Sequence, residues 1–262
     1  MGITIDLSGG LGNQMFQIAC AYNLAQKNND LASFNFNESH TPNQGYSASK
    51  YKNTIYKEFI HSDNIKINNE FSQKGHGYEI IPYTQNLQLI GSFQSEKFFI
   101  NNKEDIINKL LQGLYNEKDK VKEVTNFIEK LRHNQIVSIH VRRGDYYKWP
   151  HIHTHCSLNY YNKALSFIKD KIGEFTPIFS SDDKNWCEKN FTGVISPFND
   201  EIKDMILMSQ CDHNIIANSS FSWWGAYLNK NKNKIVIGPE KWFGAKGPQD
   251  QEDIIPKKWI KI

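Results

Sequence analysis

Between residues 136 and 237 short apolar runs alternate with stretches of helical period, and this alternation restricts the fold more than any other feature. The pattern predicts strands over Ile136–Val141, Thr176–Ser180, His213–Ala217 and Lys234–Ile237. It predicts helices over Leu158–Ile172, Lys184–Lys189, Glu201–Gln210 and Phe221–Leu228. Strands that alternate with helices build a parallel sheet covered on both faces. The expected class is α/β, with a Rossmann-like wind in this half. Earlier in the chain, Ile3–Leu7 reads as a strand, Ser8–Gln14 as a Gly-rich turn and Met15–Gln26 as a helix, which is half of a βαβ unit. Gln88–Gly91 suggests a further strand, and 103–114 and 119–131 read as helices. Residues 40–90 have poor periodicity and carry no assignment. A boundary near residue 133 divides the chain into 1–133 and 134–262.

Composition narrows the class. With 262 residues, 39% hydrophobic and 13% aromatic, the chain can build one large core or two ordinary ones. A net charge of +3 is too mild to point to nucleic acid. It suits an anionic small molecule held by local positive charge. Cys20, Cys156, Cys187 and Cys211 are far apart with no C-x-x-C spacing, so free thiols in a reducing compartment are expected. No apolar run approaches the ~20 residues that span a bilayer, and the start reads as a strand rather than a signal peptide. A soluble cytoplasmic protein is the expectation.

The chemistry gathers where strands end. His140-Val-Arg142-Arg143-Gly-Asp145-Tyr146 follows the strand 136–141, and strand ends of open α/β sheets are where ligands bind. A guanidinium holds its charge and matches phosphate oxygens with a planar fork. A diphosphate site and a structural Arg–Asp pair both fit. Gly9-Gly10-Leu-Gly12-Asn13-Gln14 reads either as a backbone cradle at a helix N-terminus or as a plain strand-to-helix turn. It lacks the dinucleotide spacing and the Lys-Ser/Thr of a phosphate-binding P-loop. Asp182 and Asp183 stand at the next strand end, as ligand groups or as a helix cap. Asp204 lies in an otherwise apolar helix, where it is either an exposed residue or a buried carboxylate suited to the two N–H donors of a guanine edge. Asn218-Ser219-Ser220-Phe221-Ser222-Trp223-Trp224 joins strand to helix, and its N–H groups can hold phosphate. His151, His153 and His155 would share one face of an extended segment. Acceptor contact or plain surface fits them better than a metal site does.

Together, and in this order, Gly-Gly-Leu-Gly-Asn-Gln-Met-Phe-Gln, His-Val-Arg-Arg-Gly-Asp-Tyr, Ser-Ser-Asp-Asp-x-x-Trp and Asn-Ser-Ser-Phe-Ser-Trp-Trp-Gly-Ala resemble the α-1,2-fucosyltransferase family. Tyr160-Tyr161-x-x-Ala164 and Pro239-x-x-Trp242 fit as well, and the resemblance runs from residue 1 to about 245. It implies a GT-B fold, with two Rossmann-like domains facing a cleft. It implies an inverting transfer from GDP-β-L-fucose to the 2-hydroxyl of a terminal, β-linked galactose, with no cofactor and no metal. The first domain would take the acceptor side and the second GDP-fucose. Arg142 and Asn13 are implied as catalytic. Gly10, Gly12, Asn13, His140, Arg142, Asp182, Asp204, Asn218, Ser219, Ser220 and Phe221 are implied in donor binding. Asp145, Tyr146, His153 and His155 are acceptor-side candidates. Asp145, His153, His155 and an acidic residue of the first domain are candidates for the base. Vertebrate members carry an N-terminal membrane anchor. The lack of one here suggests a bacterial enzyme that builds O-antigen or other surface glycans, with at most peripheral membrane contact through Lys257, Lys258 and Lys261. A transferase for another GDP-sugar, a metal-dependent phosphohydrolase on Asp182, Asp183 and the histidines, and a glycan-binding module remain the alternatives. Acceptor identity and oligomeric state stay open.

Overall fold

A computed structural model describes residues 2–37, 45–144, 146 and 151–262. The chain forms two compact units. One comprises Met1–Glu117 with Asp250–Pro256, and the other Lys118–Gln249 with Lys257–Ile262.

The first unit holds β1 (Ile3–Ile5), α1 (Leu11–Lys27), β2 (Asn69–Ser72), β3 (Leu87–Ile90) and α2 (Lys103–Tyr115). Its three strands lie parallel in the order β1-β3-β2. Helix α1 is buried on nearly every side, through Met15, Phe16, Ile18, Ala19, Cys20, Ala21, Leu24 and Ala25. Such a helix belongs inside a core rather than on its surface. The helix starts at Leu11, so the expected turn 8–14 is shorter and Gly12, Asn13 and Gln14 form its first turn. The stretch without periodicity builds its core from rings outside regular elements. Phe36 stacks on Tyr56 at 5.4 Å and on Phe34 at 5.7 Å, and Phe59 meets Phe34 edge-on at 6.1 Å. Rings set by turns leave no repeat for a periodicity argument to read.

The second unit holds α3 (Lys118–Leu131), β4 (Gln135–Val141), α4 (Leu158–Ile172), β5 (Phe175–Ser181), α5 (Lys184–Asn190), β6 (Val194–Ile195), α6 (Glu201–Gln210), β7 (His213–Ile215), α7 (Ser220–Leu228), β8 (Val236–Gly238) and β9 (Ile260–Lys261). All six strands are parallel, in the order β6-β5-β4-β7-β8-β9. Counted within the unit this is 3-2-1-4-5-6, the doubly wound order whose direction reverses between its first and fourth strands. Strand β4 is buried along all but its first residue, as a central strand under helices on both faces must be. The boundary expected at 133/134 moves to Glu117/Lys118. The cause is that α3 packs on α6: Val124 and Ile128 are buried, and Thr125 Oγ1 lies 3.1 Å from Gln210 Oε1. The basic tail is not a loose arm. It forms β9 beside β8, and Trp259 packs on the buried Trp223 at 5.3 Å. Among the described residues no helix is long and apolar enough to cross a membrane.

Candidate active site

In the second unit the strand order reverses between β4 and β7, and the site residues gather at the C-terminal ends of these strands and of β5. Two tyrosines of α4 tie these ends down. Tyr161 donates to the His140 carbonyl at 3.1 Å, and Tyr160 donates to the Ile216 carbonyl at 2.6 Å. Both hydroxyls are buried, and burial holds both well above the ordinary phenol range. They therefore remain donors at any working pH.

The two adjacent arginines differ in role. Arg143 lies over the Trp186 face, with its guanidinium carbon 3.9 Å from the ring centre, and its Nε reaches Asp183 Oδ2 at 3.3 Å. Only 15% of its side chain is exposed. This is a cation–π strut between the β4 turn and α5. Asp183 also caps α5 by accepting from the Trp186 N–H at 3.1 Å. Arg142 keeps a third of its side chain exposed and pairs with Asp182 at 3.0 Å. Asp182 Oδ1 and Oδ2 accept the N–H groups of Arg143 and Gly144 at 2.9 and 3.1 Å. A Cβ at Gly144 would stand 2.8 Å from Asp182 Oδ2, so a side chain there would push the carboxylate out of this position. Asp182, expected as a ligand group, binds the Arg turn through these contacts.

Helix α7 begins next to β4: the His140 and Phe221 rings lie 5.6 Å apart. Ser219 occupies the N-cap position in extended backbone, but its side chain makes no capping hydrogen bond. The opening N–H groups of a helix lack intrahelical partners and carry the positive end of its dipole. An anion is the natural complement of such an end. His140 is buried, and its Nδ1 has no hydrogen-bond partner among the described residues. Burial, and then the Arg142 charge, push its pKa down to about 3, so the ring is neutral at working pH. Asn218 is a brace. Its Nδ2 donates to the carbonyls of Thr154 at 2.7 Å and Trp242 at 2.8 Å, and its own carbonyl accepts from the Tyr146 hydroxyl at 2.8 Å. Trp223 and Trp224 are fully buried core.

Asp204 is largely buried. Its Oδ1 accepts from the hydroxyls of Ser180 and Ser196, each at 3.1 Å. Ser180 is the strand partner of His140, so the carboxylate belongs to the same edge. Burial raises its pKa to about 6 against the lowering effect of those hydroxyls. Among the described residues Oδ2 has no hydrogen-bond partner. An acceptor so placed fits paired N–H donors.

The loop after the Arg turn joins the cluster in part. The Tyr146 ring stacks on His153 at 4.6 Å, meets His155 edge-on at 6.3 Å and lies 5.6 Å from the Arg142 guanidinium carbon. Burial, followed by the Arg143 charge, lowers the His155 pKa. Asp145 lies outside the described residues. Among the described residues no three His, Cys, Asp or Glu side chains come together as a metal set.

Gly10, Gly12 and Asn13 belong to the first unit. Gly10 is the N-cap of α1, and Asn13 Oδ1 accepts from Gln94 Nε2 at 2.8 Å. Gly9 takes φ +71, and a Cβ there would sit 2.3 Å from Asn13 Nδ2. Two residues of the Gly-rich motif for which the sequence reading assigns no role hold this turn. Gln14 donates to the carbonyls of Gly9 and Tyr46, both at 2.9 Å. Gln17 accepts the Ser8 N–H at 3.0 Å and donates to the Gly91 carbonyl at 3.0 Å. Both are buried amides in an apolar helix, and that is the signal that could have found them.

Comparison with known proteins adds the family. Residues 2–262 match the model of Glycosyl transferase family 11. The chain is 32% identical to the O-antigen biosynthesis glycosyltransferase WbnK of Escherichia coli, over 98% of this chain and 99% of that one. It is 30% identical to an alpha-1,2-colitosyltransferase of Escherichia coli, over 99% and 98%. Against the galactoside 2-alpha-L-fucosyltransferase SEC1 of Bos taurus it is 27% identical, over 86% of this chain and 64% of the relative. The crystal structure of fucosyltransferase NodZ from Bradyrhizobium superposes with a TM-score of 0.52 at 11% identity, over 86% of this chain and 91% of that one, which is a likeness of fold. The chain is thus a glycosyltransferase of the GT-B fold and a member of glycosyltransferase family 11.

Proposed function

We propose that this glycosyltransferase moves L-fucose from GDP-β-L-fucose to the 2-hydroxyl of a terminal β-linked galactose, with inversion and without a metal, in the assembly of a bacterial surface glycan such as O-antigen. The observation that carries the reading is that Arg142, just past the end of β4, and the start of α7, whose Phe221 ring lies 5.6 Å from His140, both lie at the edge where the strand order reverses. Transfer breaks the bond between the anomeric carbon and a β-phosphate oxygen, and negative charge grows on the departing GDP. Arg142 and the N–H groups at Ser219–Phe221 meet that charge. One such preorganised donor contributes about 3–4 kcal/mol to the transition state. The neutral His140 ring offers a hydrogen bond without a competing charge, and Asp204 takes the guanine edge. Attack by the acceptor oxygen from the opposite face gives the α-fucoside. The acceptor proton leaves to a base, for which Asp145, His153 and His155 are the candidates on this unit. Tyr146 and the two histidines border the acceptor side.

A second donor is favoured by one observation, the 30% identity to an α-1,2-colitosyltransferase. Colitose is the 3-deoxy counterpart of L-fucose, so the same diphosphate and guanine contacts serve both. The test is GDP release from GDP-fucose and from GDP-colitose, with a galactose-terminated disaccharide and excess EDTA, and the product linkage read by NMR. Acceptor-dependent release from GDP-fucose with a new α-1,2 linkage is expected. Turnover of GDP-colitose alone would replace the donor, and loss of activity in EDTA would overturn metal independence.

A further inference from the structure

We infer that Asp182 is a positioning residue for Arg142 and not a donor ligand, an inference that rests on the reading of Arg142 as the diphosphate-binding group. Strand register places the two residues. Val141 is paired with Ser181 across β4 and β5, so the next residue on each strand, Arg142 and Asp182, leaves the sheet side by side. Asp182 uses both oxygens locally: Oδ1 takes the Arg143 N–H at 2.9 Å, and Oδ2 takes the Gly144 N–H at 3.1 Å and Arg142 Nη1 at 3.0 Å. One carboxylate thereby sets both the backbone that carries Arg142 and the direction of its guanidinium. The neighbouring Arg143 is committed to the Trp186 face and Asp183, so the turn has one arginine for support and one for the ligand.

This arrangement has a cost in charge. A carboxylate beside the diphosphate site repels the ligand and offsets part of the Arg142 charge. Electrostatics alone therefore predicts that Asp182→Asn tightens GDP binding. Positioning predicts a different outcome, because an arginine that loses the carboxylate aiming its guanidinium samples more rotamers and catalysis needs it in one. Affinity and turnover should then separate.

The experiment is a double-mutant cycle of Asp182→Asn and Arg142→Ala, read in GDP affinity by calorimetry and in the rate of GDP release from GDP-fucose at saturating donor. A thermal melt of each variant confirms folding, and Asp182→Ser, which keeps one acceptor for a backbone N–H, repeats the cycle if the amide variant is unfolded. With Arg142 present, Asp182→Asn should lower kcat about tenfold and leave GDP binding equal or tighter. With Arg142 absent, it should change both by less than about twofold. Equal losses of kcat in both backgrounds would overturn the inference, as would GDP affinity and kcat falling by the same factor with Arg142 present. If the wild type binds GDP but does not turn over GDP-fucose, the donor reading fails and the affinity cycle decides the coupling: an affinity change confined to the Arg142 background supports it, and an equal change in both overturns it. A wild type that binds no GDP overturns both readings.

Discussion

Replacing Asp204 with Asn should stabilise the protein while weakening its grip on GDP. The carboxyl titrates at about 6 instead of the ordinary 3.8, because burial outweighs the two serine hydroxyls. A folded-state pKa raised above the unfolded one means that the folded chain binds the extra proton more readily. The stability it adds is complete below the unfolded value and lost as pH rises through about 6. At neutral pH the charged carboxylate therefore costs up to about 3 kcal/mol. Asn removes that charge and still offers an oxygen to Ser180 and Ser196, which now hold Oδ1. For a chain of this size the gain corresponds to a rise of several degrees in Tm. The cost falls on the ligand. A guanine edge presents two N–H donors, and an amide NH2 in place of Oδ2 cannot accept them. Losing charge-assisted hydrogen bonds of this kind costs about 3 kcal/mol, or roughly a hundredfold in Kd. Differential scanning fluorimetry and calorimetry with GDP at pH 7.5 measure both quantities. The wild type should also lose GDP affinity as pH falls below about 6, where its carboxylate protonates, and the variant should not. A lower Tm with unchanged GDP affinity would refute the assignment.

Arg142→Lys should lose more than about tenfold in kcat, since an ammonium cannot reproduce the guanidinium fork; a rate above a tenth of wild type in the GDP-release assay would contradict the role. His140 predicts acid sensitivity of the opposite sign to Asp204. It is protonated only near 3 when folded but near 6.5 when unfolded, so its contribution is complete above 6.5 and lost as pH falls toward 3, by about 2 kcal/mol at pH 5. His140→Asn should lose less Tm between pH 7.5 and 5 than the wild type, and an equal loss would count against it. Asn218→Ala leaves the Thr154 and Trp242 carbonyls without their donor. It should lower stability by about 2–3 kcal/mol in urea melts, and an unchanged melt would show that the brace is dispensable.

The sequence alone determined the α/β class, most elements of the second unit and the strand ends that carry the candidate site. Each of these follows from local information: apolar runs of strand length, helical period, a Ser or Asp before a helix and Gly173 after one. Strand β4 and helices α4 and α6 lie where periodicity put them, to within a residue. The motifs also placed Arg142 and Ser219 at the termini of elements, which is where the structure has them. Strands β6 and β9 were not, because two residues carry no period and exist only by pairing with a neighbour. Tertiary structure alone separated Arg142 from Arg143, since the Trp186 face and Asp183 that immobilise Arg143 come from β5 and α5. It turned Asn218 into a brace between Thr154 and Trp242, and Asp182 into the latch of the Arg turn. It also moved the division of the chain to Lys118, because the apolar stripe of α3 found its partner in α6. The reason is the same throughout. Propensity and period act between neighbours along the chain, whereas the partner of a polar side chain is chosen by whatever folding brings within about 3 Å of it.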